Sequence, residues 1–171
     1  MNRSRVFFIA LLLAASTAAA QSDPSSITNF LRVNEQICTG GQPTMEQLET
    51  LKAQGVKAII NLRVPSEYNA AEEEAKVKQL GLRYINIPVN RDALTDELAD
   101  QFLKAMRDPK NRPAFIHCSM ANRVGAFWMI YRVVVDGWTV EKAEEEAKKI
   151  GLRTAPLREF ALAYIAKHQK K

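Results

Sequence analysis

Three residues with the chemistry of a reactive thiol site stand close together in this sequence: His117, Cys118 and Arg123. Cys118 follows a short apolar run and Arg123 opens an amphipathic segment, so the thiol is predicted at the junction of a strand and a helix. Backbone N–H groups of such a turn, the helix dipole and a guanidinium all favour negative charge on the sulfur. Because the thiolate is the nucleophilic form of cysteine, we predict that Cys118 is a nucleophile near neutral pH.

The turn between Cys118 and Arg123 is predicted to bind an anion, because its amides converge on one point. It consists of four residues: Ser119, Met120, Ala121 and Asn122. The Asn122 amide is expected to order this turn. A lone cysteine at the end of a strand is commonly a small core residue. The prediction therefore depends on the whole order of strand, His-Cys, small-residue turn, arginine and helix.

Apolar runs alternate with amphipathic segments along the chain, and this alternation predicts an α/β fold. Strands are predicted at 36–39, 56–62, 82–87 and 114–117, and helices at 27–35, 45–54, 70–80, 96–107, 123–136, 140–150 and 155–167. We expect a central, mainly parallel sheet of about four to five strands with helices on both faces. Ligands of such sheets bind at the carboxyl ends of the strands, where Cys118 lies.

Two further helical patterns carry simpler interpretations. An apolar stripe at helical spacing after the loop is predicted to be core packing rather than a cofactor site. It comprises Val124, Phe127, Trp128, Tyr131 and Val135. The acidic run Glu72-Glu73-Glu74 is predicted to be a solvated helix face.

The pattern His117-Cys118-x-x-x-x-Arg123 resembles the signature loop of cysteine-dependent phosphatases of the dual-specificity, protein-tyrosine-phosphatase-like superfamily. Other stretches resemble the bacterial branch that includes the phosphatase-like domain of beta-lactamase hydrolase-like proteins. They are Gly40-Gly41-Gln42-Pro43, Ile59-Ile60-Asn61-Leu62-Arg63 and Tyr84-Ile85-Asn86-Ile87-Pro88-Val89. The resemblance covers residues 27–150. It implies an enzyme that hydrolyses a phosphomonoester through a phosphocysteine intermediate.

The resemblance also implies a general acid, since phosphatases of this kind use an aspartate on a loop to protonate the leaving oxygen. Asp92 follows the last of these stretches and is the preferred candidate, while Asp96 is better explained as a first-turn helix charge. Arg63 ends a predicted strand and is predicted to bind the anion at the same rim. Glu67 is a candidate partner for Arg63.

Two features differ from the superfamily pattern and leave other functions open. Tyrosine and dual-specificity phosphatases usually place five residues between cysteine and arginine, whereas the four residues found here are the spacing of rhodanese-like sulfurtransferases. Val124 also replaces the hydroxyl residue that helps the thiolate leave the phosphoenzyme, and Ser119 is the loop hydroxyl that could substitute. The alternatives are a sulfurtransferase with a Cys118 persulfide and a phosphatase relic that binds an oxyanion without turnover.

The N-terminus has the pattern of a secretory signal peptide over residues 1–20. Arg3 and Arg5 precede an apolar run at 6–15 that is too short to span a bilayer, and Ala18-Ala19-Ala20 matches the small residues before a cleavage site. We therefore expect a periplasmic or secreted protein without membrane contact after cleavage. Residues 21–171 are predicted to form a single phosphatase-like domain.

The composition of the chain limits the classes of partner and cofactor that we expect. The chain has 171 residues, 47% of them hydrophobic, and a formal net charge of +5 without a basic-aromatic pattern, so a nucleic-acid partner is not expected. With only two histidines and two cysteines, no metal site and no cofactor is predicted. A single disulfide between Cys38 and Cys118 is left open as a hypothesis. The expected partner is a small anionic or phosphorylated substrate.

Overall fold

A computed structural model describes residues 24–168 and contains a five-stranded sheet in the order β1-β2-β5-β3-β4. The strands are β1 (Leu31–Asn34), β2 (Ile37–Gly40), β3 (Ala58–Asn61), β4 (Arg83–Asn86) and β5 (Ala114–His117). β1 is antiparallel to β2, and all other neighbours are parallel. This arrangement confirms the predicted α/β class and the mainly parallel sheet, with β5 at its centre.

Within the described residues, six helices flank the sheet: α1 (Met45–Ala53), α2 (Ala70–Gln79), α3 (Asp96–Arg107), α4 (Asn122–Val134), α5 (Val140–Ile150) and α6 (Ala155–His168). One core lies between the sheet and α1 and α2, and a larger one lies between the sheet and α3 to α6. Both faces are therefore covered, as predicted. Short 3₁₀ turns at Pro24–Ser26, Pro65–Glu67 and Pro109–Asn111 complete the secondary structure.

Side-chain alternation along β5 separates its last residue from the nucleophile. Phe115 stacks on His117 in the smaller core, with 5.5 Å between ring centroids. Ile116 and Cys118 belong to the larger core. Successive side chains of a strand point to opposite faces, so His117 is directed away from the face that carries Cys118.

The predicted helix at 27–35 is wrong, because part of this segment pairs with β2. Leu31 lies opposite Thr39 and Arg32 opposite Cys38 in an antiparallel ladder, which gives the edge strand β1. Backbone hydrogen bonds to a neighbouring strand outweigh a weak local helical pattern. The predicted signal peptide lies outside the described residues, and within 24–168 no helix is long and apolar enough to cross a membrane.

The disulfide hypothesis is also wrong, because Cys38 and Cys118 lie in different cores. Cys38 is paired in register with Phe115 and packs in the smaller core, and both cysteines are free thiols. Burial raises the pKa of Cys38 to about 11, with a smaller opposing effect from Arg32. Cys38 is thus a protonated core residue, and we do not expect it to react near neutral pH.

Helix α4 runs through the larger core and fixes the residues that follow Cys118. Most of the predicted apolar stripe is buried, which confirms that it is core packing. At Gly125 a Cβ atom would lie 2.6 Å from the Ala147 carbonyl oxygen and 2.8 Å from the Leu152 amide nitrogen. Glycine therefore allows α5 and the α5–α6 connection to approach the beginning of α4 closely.

Candidate active site

The loop from Cys118 to Arg123 joins the carboxyl end of β5 to the N-terminus of α4. Cys118 is 1% exposed, and Ala121 is fully buried with a left-handed backbone at φ 62°. This conformation turns the chain sharply, so that α4 begins at Asn122. The sulfur consequently lies beside the positive end of a helix.

The Gly40–Pro43 turn supports this loop from the side. The Gln42 amide donates to the Ser119 carbonyl oxygen at 3.2 Å, and Gly41 forms an isolated β-bridge with Met120. A Cβ atom on Gly41 would lie 2.8 Å from the Ser119 oxygen and 3.1 Å from the Thr28 oxygen. Both contacts are with backbone, so the loop itself would have to shift.

We therefore expect Gly41→Ala to lower kcat/KM for a phosphomonoester by about tenfold, because the loop would be misplaced. This loss corresponds to an increase of about 1.4 kcal/mol in the activation free energy. Gly40→Ala is the matched control, because the atoms nearest to its Cβ would belong to the side chains of Ile27 and Phe115 rather than to the loop backbone. Gly40→Ala should lower the melting temperature with little change in kcat/KM. Equal activity in Gly41→Ala and wild type would contradict this role of the turn.

Arg123 is buried and held in a fixed orientation. Its two terminal nitrogens donate to the two carboxylate oxygens of Glu67 at 2.7 and 2.6 Å, and further bonds reach the Val89 carbonyl oxygen at 3.1 Å and Ser119 Oγ at 3.3 Å. Burial alone would lower the pKa of Arg123, but its bond to Glu67 and its interactions with Cys118 raise it. The guanidinium therefore stays charged next to the sulfur.

The ion pair also changes the acidity of Glu67. The hydrogen bond from Arg123 is the main reason that the pKa of Glu67 falls from 4.5 to about 2. A carboxylate with a lowered pKa in the folded state stabilises the fold above its ordinary pKa. This stabilisation is lost as the pH falls from about 4.5 towards 2.

We accordingly expect Glu67→Gln to reduce the free energy of unfolding at pH 7 by about 1 kcal/mol, or about 2–4 °C in melting temperature. The difference from wild type should shrink below pH 4.5, because protonated Glu67 is also neutral. Denaturation curves measured from pH 7 to 3 test this, with the exposed Glu97→Gln as control. A difference that does not depend on pH would contradict the expectation.

Glu67 is in turn part of a hydrogen-bond network that leads away from Arg123. Arg63 pairs with Glu67 and donates to Gln42 Oε1 at 2.8 Å. Gln42 Nε2 donates to Glu73 Oε2 at 2.6 Å, and His117 Nε2 lies 3.1 Å from Glu73 Oε1. The network thus connects the Gly40–Pro43 turn and the end of β3 with the arginine of the loop.

The interpretation of Glu73 as part of a solvated face is wrong. Its side chain is 1% exposed and accepts hydrogen bonds from Gln42 and from Asn61 Nδ2, the latter at 2.9 Å. Burial would raise the pKa of Glu73, but these bonds and His117 lower it. A buried carboxylate is tolerated here because its oxygens are hydrogen-bonded.

A cavity of about 250 Å³ opens beside Cys118. It is lined by Arg91, Cys118, Ser119, Met120, Asn122, Arg123, Arg153 and Thr154. Four of the predicted site residues other than Cys118 therefore line it, whereas Ala121 is fully buried and does not. Arg63 and Asp92 are not among the lining residues: Arg63 is engaged with Glu67 and Gln42, and Asp92 is exposed on the adjacent loop.

Asn122 connects the loop to the α5–α6 connection, as its predicted ordering role implies. Its Nδ2 donates to Thr154 Oγ1 at 3.0 Å, and its Oδ1 accepts from the Arg153 amide at 2.9 Å. Sequence reasoning missed Arg153, Thr154 and Arg91 as cavity residues. Only the position of Arg91 beside the candidate Asp92 offered a signal, whereas the α5–α6 connection carried none.

A sequence profile of the family described as DSP-PTPase phosphatase fused to NAD+ kinase matches residues 16–161. The chain belongs to this phosphatase family. The match spans the Cys118–Arg123 loop, the Gly40–Pro43 turn and most of the described fold. It confirms the superfamily resemblance, and membership supports a cysteine-dependent phosphatase.

Individual relatives agree with this family. The dual specificity protein phosphatase TpbA of Pseudomonas aeruginosa is 26% identical over 188 residues, covering 96% of this chain and 83% of TpbA. A beta-lactamase hydrolase-like protein of Agrobacterium fabrum is 29% identical over 104 residues, covering 58% of this chain but only 24% of that protein.

Solved structures confirm the fold. A crystal structure of P. aeruginosa TpbA matches with a TM-score of 0.65 and 26% identity, covering 89% of this chain and 91% of that one. The catalytic domain of the PP-IP phosphatase Siw14 from S. cerevisiae matches with a TM-score of 0.69 at 22% identity, covering 81% and 86% of the two chains. The similarity to the Siw14 domain shows a shared fold alone.

Proposed function

We propose that this protein hydrolyses a phosphomonoester through a phosphocysteine intermediate on Cys118. The observation that carries the proposal is the placement of a buried thiol at a helix N-terminus beside Arg123, whose orientation Glu67 holds. The Arg123 charge and the loop amides offer fixed positive potential where charge develops on the equatorial phosphate oxygens.

The reaction has two steps. In the first, the Cys118 thiolate attacks phosphorus, an S–P bond forms, and the P–O bond to the leaving group breaks with its electron pair going to that oxygen. In the second, water attacks phosphorus and the S–P bond breaks, so inorganic phosphate leaves and the thiolate returns. Ser119 Oγ, which is 3.3 Å from an Arg123 nitrogen and lines the cavity, is our candidate for stabilising the departing thiolate.

Asp92 is proposed to protonate the leaving oxygen in the first step. The loop that carries it begins after Val89, whose carbonyl accepts from Arg123, and its neighbour Arg91 lines the cavity. We expect Asp92→Asn to lower kcat for an alkyl phosphate by about 10²-fold. The loss should be smaller for p-nitrophenyl phosphate, because its leaving group is a weaker base.

The control for this change is Asp96→Asn, which replaces an aspartate whose Oδ2 accepts from Lys167 at 3.0 Å. Its kcat should stay close to that of wild type for both substrates. An equal loss for alkyl and aryl phosphates in Asp92→Asn would remove the general-acid assignment.

The four-residue loop favours one other function, sulfur transfer through a Cys118 persulfide. The purified protein should be incubated with p-nitrophenyl phosphate and, separately, with thiosulfate plus cyanide. We expect nitrophenol release and, after rapid acid quenching, a mass increase of one phosphoryl group on the peptide that contains Cys118. Thiocyanate formation without phosphate release would instead assign the sulfurtransferase activity.

We further propose that residues 1–20 direct export and are removed after Ala20. Expression of the full chain in a Gram-negative bacterium, followed by fractionation and N-terminal sequencing, tests this proposal. A periplasmic protein that begins at Gln21 is the expected result. Retention of residues 1–20 on a cytoplasmic protein would overturn it.

A further inference from the structure

The charge around the Cys118 cavity exceeds what a single phosphoryl group requires. Among the residues that the structure describes, three arginines line the cavity, namely Arg91, Arg123 and Arg153, and no acidic residue does. Arg123 is the arginine beside the sulfur, and it forms an ion pair with Glu67. The charges of the other two are available for a different anionic group.

Arg153 is fixed in place, and no acidic residue in the range 24–168 forms an ion pair with it. Its Nη2 donates to the Met120 carbonyl oxygen at 2.9 Å, and its Nε donates to the Gly151 carbonyl oxygen at 3.1 Å. Its backbone amide is held by Asn122. These partners are uncharged, so they orient the guanidinium but leave its charge uncompensated.

Arg91 also lines the cavity, and it lies on the loop between β4 and α3. It is exposed, and its side chain makes no ion pair or hydrogen bond with any residue in the described range 24–168. An unpaired arginine at the mouth of a cavity is a bidentate donor for a phosphate or carboxylate. Arg91 and Arg153, which lie on separate loops and have no acidic partner within 24–168, therefore line the same cavity as Cys118.

We propose that Arg91 and Arg153 form a second anion subsite, and that the substrate is a small molecule carrying a second phosphate group near the scissile one. The proposal rests on the proposed function, because the Cys118 loop must hold the first phosphate. Arg153 contributes an oriented donor, and Arg91 closes on the second phosphate when the substrate enters. The cavity is smaller than the about 300–1,000 Å³ of typical ligand sites, so it encloses the anionic end of a substrate rather than a whole large one.

Binding measured without turnover tests this subsite directly. Cys118→Ser protein should be titrated calorimetrically with methylphosphonate, which carries one anionic group, and with alkyl bisphosphonates of one, two and three methylene groups. We expect at least one bisphosphonate to bind about tenfold more tightly than methylphosphonate. The preference should weaken as salt concentration rises, because the added contacts are electrostatic.

The same titrations are repeated with Arg91→Ala and with Arg153→Gln, each added to the Cys118→Ser background. Gln keeps a donor for the Met120 carbonyl while removing the charge, so the loop retains support. Each variant should reduce the bisphosphonate preference about threefold or more, whereas the exposed Arg107→Ala should leave it unchanged. Equal affinity for one and two phosphonates, or a preference that survives both variants, would overturn the proposal.

Failure of the proposed function would be visible separately. In that case the wild-type protein would release no nitrophenol in a Cys118-dependent manner. This assay does not depend on the calorimetric preference for bisphosphonates. A bisphosphonate preference that depends on Arg91 and Arg153 would support the subsite even in that case.

Discussion

Replacing Cys118 with serine should abolish phosphomonoester hydrolysis, with a loss in kcat of about 10⁴-fold or more. The serine hydroxyl is not ionised near neutral pH, and none of the described residues that line the cavity is a base that could activate it. Steady-state assays with p-nitrophenyl phosphate measure the effect. Because the substitution removes a single buried sulfur, the variant should remain folded.

The matched control is Cys38→Ala, which removes the other cysteine. Cys38 packs in the smaller core on the opposite face of the sheet, and its raised pKa keeps it protonated. Its activity should stay within a few-fold of wild type, although the lost packing reduces stability. Phosphatase activity that survives in Cys118→Ser but disappears in Cys38→Ala would show that the nucleophile is Cys38 and not Cys118.

Replacing Arg123 with lysine should lower kcat/KM by about 10³-fold. Lysine keeps the charge but cannot reproduce two parallel bonds to Glu67 together with contacts to Val89 and Ser119. The fixed geometry of the anion site is therefore lost even though its net charge is unchanged. The same assay measures the effect, together with calorimetric binding of inorganic phosphate, which should weaken.

Arg132→Lys provides a control on the same helix. Arg132 also makes a short ion pair, its Nε lying 2.6 Å from Glu146 Oε2, but it does not line the Cys118 cavity. This variant should lose stability while retaining kcat/KM. Comparable activity losses in Arg123→Lys and Arg132→Lys would indicate that disturbance of α4, rather than loss of the anion site, explains the effect.

Local sequence patterns predicted a large part of the architecture. The predicted boundaries of β3, α1 and α2 are close to the observed ones. The signals were the buried run at β3, the glycines that follow α1 and α2, and the Thr44 capping box. The capping box is complete in the structure, with Thr44 Oγ1 accepting from the Gln47 amide and Gln47 Oε1 accepting from the Thr44 amide. These predictions succeeded because periodicity and end capping depend on residues a few positions apart.

The N-terminal segment marks where local reasoning fails. Residues 27–35 carry a weak helical pattern, but the β1 pairing at Leu31 and Arg32 depends on β2 being in place as the next strand of the sheet. Glu73 shows the same limit inside a correctly predicted helix. Its burial depends on His117 and Gln42, which are distant in the chain.

By itself, the sequence determined the identity and order of the reactive loop, because Cys118, its four-residue turn and Arg123 are adjacent in the chain. Only the tertiary structure decided what surrounds that loop. It paired Arg123 with Glu67, supported the loop with Gln42, brought Arg91 and Arg153 to the cavity, and put Cys38 on the opposite face. These contacts join residues separated by tens of positions, and they arise from sheet register and helix packing, which short-range sequence patterns do not encode.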